Sequence, residues 1–103
     1  MHKILTGKCK RTFLKWLKIR VNSKLHEIDK IEFWFNLQDE SFKNALIIEW
    51  FDSVGIYITS DYFELNKGFY SEILNDNFEI VKPTRQEALA EAIKKANEIY
   101  NSK

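Results

Sequence analysis

The stretch GFYSEILNDNFEIVKPTRQEALAEAIKKANEIY, residues 68–100, joins two short runs of alternating apolar residues to a long amphipathic segment. Thr84 and Glu87 have the T-x-x-E spacing of a capping box, in which each side chain satisfies a free backbone amide at a helix start. Pro83 stands just before them, where it breaks no helical hydrogen bond. The apolar residues that follow recur at helical spacing, at Leu89, Ala92, Ile93, Ala96, Ile99 and Tyr100. We therefore predict a C-terminal helix over residues 84–100.

Upstream of this helix the apolar residues alternate with polar ones at a period of two. The runs are rich in β-branched and aromatic residues, as strands prefer, and they lie at 31–37, 46–51, 54–59, 69–74 and 78–81. Polar breaks such as QDESFKN and NDN separate them. The pattern predicts an antiparallel meander of four to five strands.

A second amphipathic helix is predicted near the N-terminus, at about 12–21. Thr12 is its expected cap, and Phe13, Trp16, Leu17 and Val21 line one side. Each predicted helix has one apolar stripe, and the sheet offers the surface that would bury it. The predicted fold class is α+β: a single domain over 1–103 with both helices on one face of the sheet and residues 1–10 flexible.

Composition limits the class of protein. The chain has 103 residues, of which 45% are hydrophobic, so it is long and apolar enough to fold around its own core. Its one cysteine, Cys9, cannot form an intramolecular disulfide, which favours an intracellular protein. No apolar run has the length of a signal peptide core or of a membrane helix. We expect a cytoplasmic protein without membrane contacts.

Charge is divided unevenly along the chain although the formal net charge is only +1. Residues 1–24 contain eight Lys or Arg and no Asp or Glu, whereas residues 25–82 contain four bases and twelve acids. Such an asymmetry concerns partners and association more than the fold.

The acidic part of the chain suggests a binding surface. If one side of the sheet meets the helices, the other keeps aromatic residues among glutamates, which is unusual for a solvated face and typical of a contact surface. The candidate partner-binding residues are Glu32, Trp34, Glu49, Phe51, Tyr57, Tyr70 and Glu72. The partner would be another protein or a second copy of the chain, giving a homodimer. Alternatively, these rings are covered by the chain itself, because a one-residue register slip exchanges the two faces.

The basic N-terminal helix suggests a second kind of function. Its candidate residues for binding nucleic-acid phosphates are Lys8, Lys10, Arg11, Lys15, Lys18 and Arg20; alternatively these side chains only face water. The order helix, three or more strands, helix also resembles the double-stranded-RNA-binding domain. That family carries a basic cluster at the start of its last helix, where this sequence has Lys82 and Arg85, followed by Glu87 and Glu91.

Chemistry-bearing patterns are scarce. No Cys and His residues have metal-ligand spacing, and the three glycines are too scattered to form a phosphate-binding loop. We therefore predict a protein that is not an enzyme and holds neither a metal nor another cofactor.

The stretch GFYSEIL, followed by a short strand and TRQEALAEAIKKANEIY, resembles the end of short proteins encoded by phages, prophages and mobile elements. Some small antitoxins also lead a strand into a T-x-x-E-A-L helix. The resemblance, over residues 68–100, implies a bacterial or phage origin and a phage accessory, immunity-like or antitoxin-like protein. Together with the acidic aromatic residues it suggests a protein-interaction domain, with nucleic-acid binding as the alternative.

Overall fold

The structure, a computed structural model, describes residues 5–21, 24, 27–63 and 67–103. Over these residues it is an α+β fold with four helices and a three-stranded antiparallel sheet. The elements are α1 (Gly7–Arg20), α2 (Ile28–Asn36), α3 (Glu40–Ser53), β1 (Ile58–Phe63), β2 (Gly68–Ile73), β3 (Phe78–Lys82) and α4 (Arg85–Asn101). The predicted class is confirmed, but the described sheet has three strands rather than four or five.

Helix α4 lies where the capping box places it. The hydroxyl of Thr84 accepts a hydrogen bond from the backbone N–H of Glu87 at 3.2 Å, which satisfies one free amide of the first turn. Its buried stripe consists of Ala88, Leu89, Ala92, Ile93 and Ala96. This stripe packs across all three strands, and the small alanines let the helix lie close to the sheet.

The sheet has the order β1-β2-β3 and is antiparallel throughout. Ile73 pairs with Ile58 on one side and with Phe78 on the other. A four-residue turn joins β2 to β3, and its last residue, Asn77, has φ +55, a conformation that asparagine tolerates better than most residues. The last two predicted strands are therefore confirmed.

The first predicted strand, 31–37, is wrong: this segment belongs to helix α2. Ile31 and Phe35, four residues apart, are the buried residues of α2. The run IEFWFNL has apolar residues both at the two-residue spacing of a strand and at the three- to four-residue spacing of a helix. The alternation is therefore equally compatible with a helix that buries one side of this run.

The second predicted strand, 46–51, lies in helix α3. Asp39 caps this helix, because its carboxylate accepts the backbone N–H of Phe42 at 2.9 Å. The buried residues Leu46, Ile47, Trp50 and Phe51 have helical spacing. The predicted polar break at 38–44 thus contains the start of a helix.

The third predicted strand, 54–59, begins only at Ile58. Gly55 has φ +85 and ends α3 as its C-terminal cap. The N–H of Ile56 donates to the carbonyl of Phe51 at 2.9 Å, and the N–H of Gly55 donates to Asp52 at 3.2 Å. These are the two hydrogen bonds of a Schellman motif, so the glycine marks a helix end and not a strand interior.

Helix α1 is confirmed as a helix but not in its predicted position. Its main packing contacts are with α2, α3 and α4 and not with the sheet. It also begins at Gly7, so residues 7–10, predicted to be flexible, form its first turn; residues 1–4 lie outside the described part of the chain. Cys9 is fully buried there, and burial raises the pKa of its thiol to about 12.

Two asparagines of α4 hold the start of α1 in place. Asn97 Oδ1 accepts the N–H of Thr6 at 3.0 Å, and Asn101 Oδ1 accepts the N–H of Cys9 at 2.8 Å. The amide of Asn101 in turn donates to the carbonyl of Thr6 at 3.0 Å. These contacts satisfy amides that every helix leaves free at its N-terminus.

Trp50 joins the helices to one another in the core. Its ring lies 5.6 Å from that of Phe13 in α1, 4.9 Å from that of Phe51 and 5.0 Å from that of Tyr100 in α4. Aromatic pairs at such centroid distances add to the stabilisation from burial. We call α1, α2 and α3 together the helical layer.

Candidate functional site: the open face of the sheet

The strand register divides the side chains of the sheet between two faces. Ser71 and Ile73 are buried on the side that α4 covers, so the residues between them point to the opposite side. We call that side the open face. Its residues are Tyr57, Thr59, Asp61, Tyr70, Glu72, Leu74, Glu79 and Val81, and none of them is buried.

An apolar pair stands at one end of the open face. The N–H of Leu74 donates to the carbonyl of Tyr57 at 3.0 Å, which continues the β1–β2 ladder by one pair. Tyr57 is 46% exposed and Leu74 is 58% exposed. Both side chains therefore offer apolar surface at the end of the sheet.

The centre of the open face is a tyrosine between two glutamates. Glu72 and Glu79 are direct cross-strand partners, an arrangement in which like charges repel. The Tyr70 hydroxyl lies 2.7 Å from Glu72 Oε2 and 3.0 Å from Glu79 Oε2. Since a hydroxyl has one proton, it donates to one carboxylate at a time.

This arrangement alters the ionisation of the tyrosine. The hydrogen bond to Glu72, then desolvation and the contact with Glu79, raise the pKa of Tyr70 above its usual value. The proton is held because its loss would place a third negative charge among the carboxylates. Among the described residues of the open face, the charged side chains are Asp61, Glu72 and Glu79, and all three are acidic.

Three of the seven predicted partner-binding residues lie together on this face, and they are Tyr57, Tyr70 and Glu72. The other four lie elsewhere, because the segments predicted as strands are helices: Glu32 and Trp34 belong to α2, and Glu49 and Phe51 belong to α3. Phe51 is fully buried, so its predicted role at a surface is wrong. Helix α3 turns this ring into the core beside Trp50.

Two of the predicted acidic residues pair with predicted basic residues instead. Lys10 Nζ lies 2.7 Å from Glu32 Oε2. Arg20 contacts Glu49 with both ends of its guanidinium, with Nε 2.5 Å and Nη2 3.2 Å from the two carboxylate oxygens. The hydrogen bonds from Arg20 lower the pKa of Glu49, and those to Glu49 raise the pKa of Arg20.

The remaining basic residues of α1 have different surroundings. Lys8 Nζ donates to the carbonyl of Lys103 at 2.7 Å and lies 5.4 Å from the centre of the Tyr100 ring. Arg11 and Lys15 are exposed, whereas Lys18 is half-buried. At the start of α4, Arg85 lies over the ring of Phe69 at 5.2 Å. The six basic residues proposed for nucleic-acid binding therefore do not form one free surface.

Glu79 is the residue of the centre that the sequence reasoning missed. The sequence predicts a turn at NDN, and a hairpin across it that pairs Ile73 with Phe78 places Glu79 opposite Glu72. The alternation in FEIV then puts Glu79 and Val81 on the same face as Tyr70. The information was present, but it needed the exact length of the turn.

A second exposed apolar region lies on the helical layer. Phe33 is 68% exposed and Leu37 is 69% exposed, one turn apart on the outer side of α2. Nearby, the Trp34 ring contacts that of Phe42 edge to face at 6.4 Å. This region carries no hydrogen-bonded centre comparable with that of the open face.

Within the described ranges, no three His, Cys, Asp or Glu residues come together as a metal would require. None of the described helices has the length and apolar character needed to cross a bilayer. Comparison with family models, with curated proteins and with solved structures finds no match to this chain.

Proposed function

We propose that this protein is a non-enzymatic interaction domain whose open face binds a basic segment of another protein. The observation that carries the proposal is the composition of that face, with three carboxylates around two tyrosines and no lysine or arginine. Tyrosines are favoured as anchors in interfaces because they bury much area at little cost in conformational entropy. Carboxylates around them steer a cationic partner towards the surface and exclude an anionic one.

Charge favours one of the two partners that the sequence left open. If two copies met through their open faces, both sets of Asp61, Glu72 and Glu79 would lie within one interface without a counter-charge. Like charges that face each other in an interface cost several kcal/mol. We therefore favour a different protein with lysines and arginines over a homodimer through this face.

A titration followed by NMR tests the proposal. Octa-arginine, with octa-glutamate as the control peptide, is added to the ¹⁵N-labelled protein at low ionic strength. We expect shifts at Tyr57, Tyr70, Glu72 and Glu79 with octa-arginine only, and weakening on addition of salt. Uniform shifts over the whole surface, or no binding at low salt, would refute a specific basic partner.

Two double variants distinguish binding at the open face from a general response to the net charge of the protein. Glu72→Gln with Glu79→Gln removes two charges from the open face, and Glu91→Gln with Glu98→Gln removes two from α4 on the other side of the sheet. We expect only the first pair to weaken binding. Equal effects would mean that the peptide senses the total charge and not the site.

The nucleic-acid alternative has its best support from Arg11 and Lys15, which are exposed on α1; Lys8 and Arg20 are also exposed but contact Lys103 and Glu49. Labelled duplex and single-stranded oligonucleotides, titrated at two salt concentrations, test it directly. Binding that is lost in Arg11→Gln with Lys15→Gln would favour this alternative over the open face.

The biological setting is proposed from the resemblance of residues 68–100 alone. It favours a phage accessory, immunity-like or antitoxin-like protein of bacterial or phage origin, acting in the cytoplasm. A neighbouring gene encoding a small basic protein would supply the partner to test, and a neighbouring metabolic operon would argue against this setting.

A further inference from the structure

The outer edge of β3 is open to a further strand. In the order β1-β2-β3, both outer strands have one edge without a neighbour. In the part of the chain that the structure describes, the backbone hydrogen bonds of β3 all go to β2. Such an edge is a template on which an extended segment can form backbone hydrogen bonds.

The opposite edge of the sheet is less accessible. Helix α3 packs against β1, and the N–H of Tyr62 is already bonded to the carboxylate of Asp61 at 2.8 Å. Side-chain hydrogen bonds and covering helices are means by which proteins block strand edges. An added strand is therefore expected at β3 and not at β1.

The side chains of β3 define what an added strand should carry. Glu79 points to the open face, next to Glu72 and Tyr70. Phe78 and Ile80 point to the side of α4 and are half-buried. Because neighbouring strands align side chains of the same face, positively charged residues of the partner would lie beside Glu79 and apolar ones beside Phe78 and Ile80.

We propose that the basic partner binds as an extended strand along β3, with lysine or arginine at every second position and apolar residues between them. This inference rests on the proposed function and adds to it the conformation and sequence pattern of the partner. It commits to a foreign basic strand and not to a second copy. If two β3 strands paired about Ile80, their Glu79 side chains would lie about 8 Å apart, which adds repulsion to carboxylates that are already close.

Two peptides of equal composition test this inference. The probe acetyl-KVKIKVK-amide alternates basic and apolar residues, and the control acetyl-KKVIVKK-amide does not. Binding of each to the intact protein is measured by NMR, together with hydrogen exchange of the β3 amides. We expect tighter binding of the alternating peptide and about tenfold slower exchange at alternate β3 amides, because edge pairing protects every second N–H.

A point variant links the binding to β3. Glu79→Gln should weaken binding of the alternating peptide by about two- to fivefold, as for an exposed ion pair, whereas Glu98→Gln on α4 should leave it unchanged. Thermal unfolding of each variant confirms that the fold is kept. An unchanged affinity of Glu79→Gln would contradict the inference.

The other possible results distinguish a failure of the edge inference from a failure of the proposed function. If both peptides bind equally, shift Tyr70 and Glu72 and leave the β3 amides unchanged, the edge inference is overturned while the proposed function stands. If neither peptide binds at low salt, both are overturned. If the protein alone sediments as a dimer whose β3 amides are protected, a second copy occupies the edge and this inference is overturned.

Discussion

The helical layer and the open face use the same residue types in opposite ways. In the helical layer, Lys10 and Arg20 of α1 are each joined to a glutamate of α2 or α3. On the open face, Glu72 and Glu79 stand opposite each other and have only the Tyr70 hydroxyl between them. The first region pairs two of its basic residues with glutamates of neighbouring helices, whereas the second places two glutamates side by side.

This difference shows that an uneven charge distribution along a sequence does not carry over directly to the surface of the folded protein. The basic first quarter of the sequence and the acidic middle meet at the contacts of α1 with α2 and α3. Part of the apparent dipole therefore disappears on folding. The acidic residues that fold away from α1 include those of the strands, and the proposed binding surface consists of these.

The largest expected effect on stability comes from replacing Phe51, which the sequence places at the surface and the structure places in the core. Phe51→Ala leaves a cavity beside Trp50 and should reduce the free energy of unfolding by about 3–5 kcal/mol. Tyr57→Ala on the open face should change it by no more than about 0.5 kcal/mol. Urea unfolding of both variants measures the contrast.

If Tyr57→Ala lost more stability than Phe51→Ala, the assignment of Phe51 to the core and of Tyr57 to the open face would be contradicted. A small loss for Phe51→Ala, with an unchanged dependence on urea concentration, would place this ring at the surface as the sequence first indicated.

The next largest loss of stability is expected when a polar contact between α1 and α4 is removed. Asn101→Ala removes the acceptor for the Cys9 N–H and the donor to the Thr6 carbonyl, and should cost about 1 kcal/mol, as for a lost helix cap. Hydrogen exchange at Cys9 should become faster. Ser102→Ala on the next residue of α4 is the control, and it should leave that amide unaffected.

The sequence predicted best where local chemistry and tertiary structure agree. In residues 68–100 the capping box, the alanine stripe and the alternation in the two strands all indicate the same elements. Helix α4 therefore begins one residue from its predicted start, and the open face contains Tyr70 and Glu72 as expected. Each of these features depends on residues only a few positions apart.

The sequence failed where the apolar pattern fits two periods. Residues 31–37 and 46–51 are so rich in aromatic and branched residues that alternation and helical spacing are both present. The signals that decide between them are small: the Asp39 cap at the start of α3 and the positive φ of Gly55 at its end. The pairing of Lys10 with Glu32 could not be predicted until both segments were known to be helices.

A smaller effect is expected on the open face when the shared hydroxyl is removed. Tyr70→Phe leaves Glu72 and Glu79 opposite each other without a donor, so the protein should lose stability at pH 7. The loss should shrink below about pH 4, where carboxyl groups become protonated. Unfolding curves from pH 3 to pH 8 measure it, and a loss that does not depend on pH would contradict repulsion as the cause.

The same tyrosine should be visible in an alkaline titration. Folding raises the pKa of Tyr70, so its stabilising contribution is complete below the ordinary pKa of about 10 and is lost as the pH rises through the folded value. Ultraviolet absorbance of the wild type should therefore show an ionisation step of Tyr70 above the ordinary pKa of tyrosine. The comparison with Tyr70→Phe checks the assignment, because the variant should lack that step.

The smallest effect is expected for the ion pair between α1 and α3, because both of its partners are exposed. Folding lowers the pKa of Glu49, so the stability from this pair is present above its ordinary pKa of 4.5 and is lost as the pH falls. Glu49→Gln should therefore be less stable than the wild type near neutral pH, and the two stabilities should approach each other in acid. Tyr70→Phe is expected to follow the same trend with pH, although its loss of stability comes from repulsion and not from a lost attraction. Added sodium chloride screens attraction and repulsion alike, so it should shrink the stability difference between the wild type and Glu49→Gln, and also that between the wild type and Tyr70→Phe. A difference between the wild type and Glu49→Gln that neither salt nor acid reduces would contradict attraction to Arg20 as its cause.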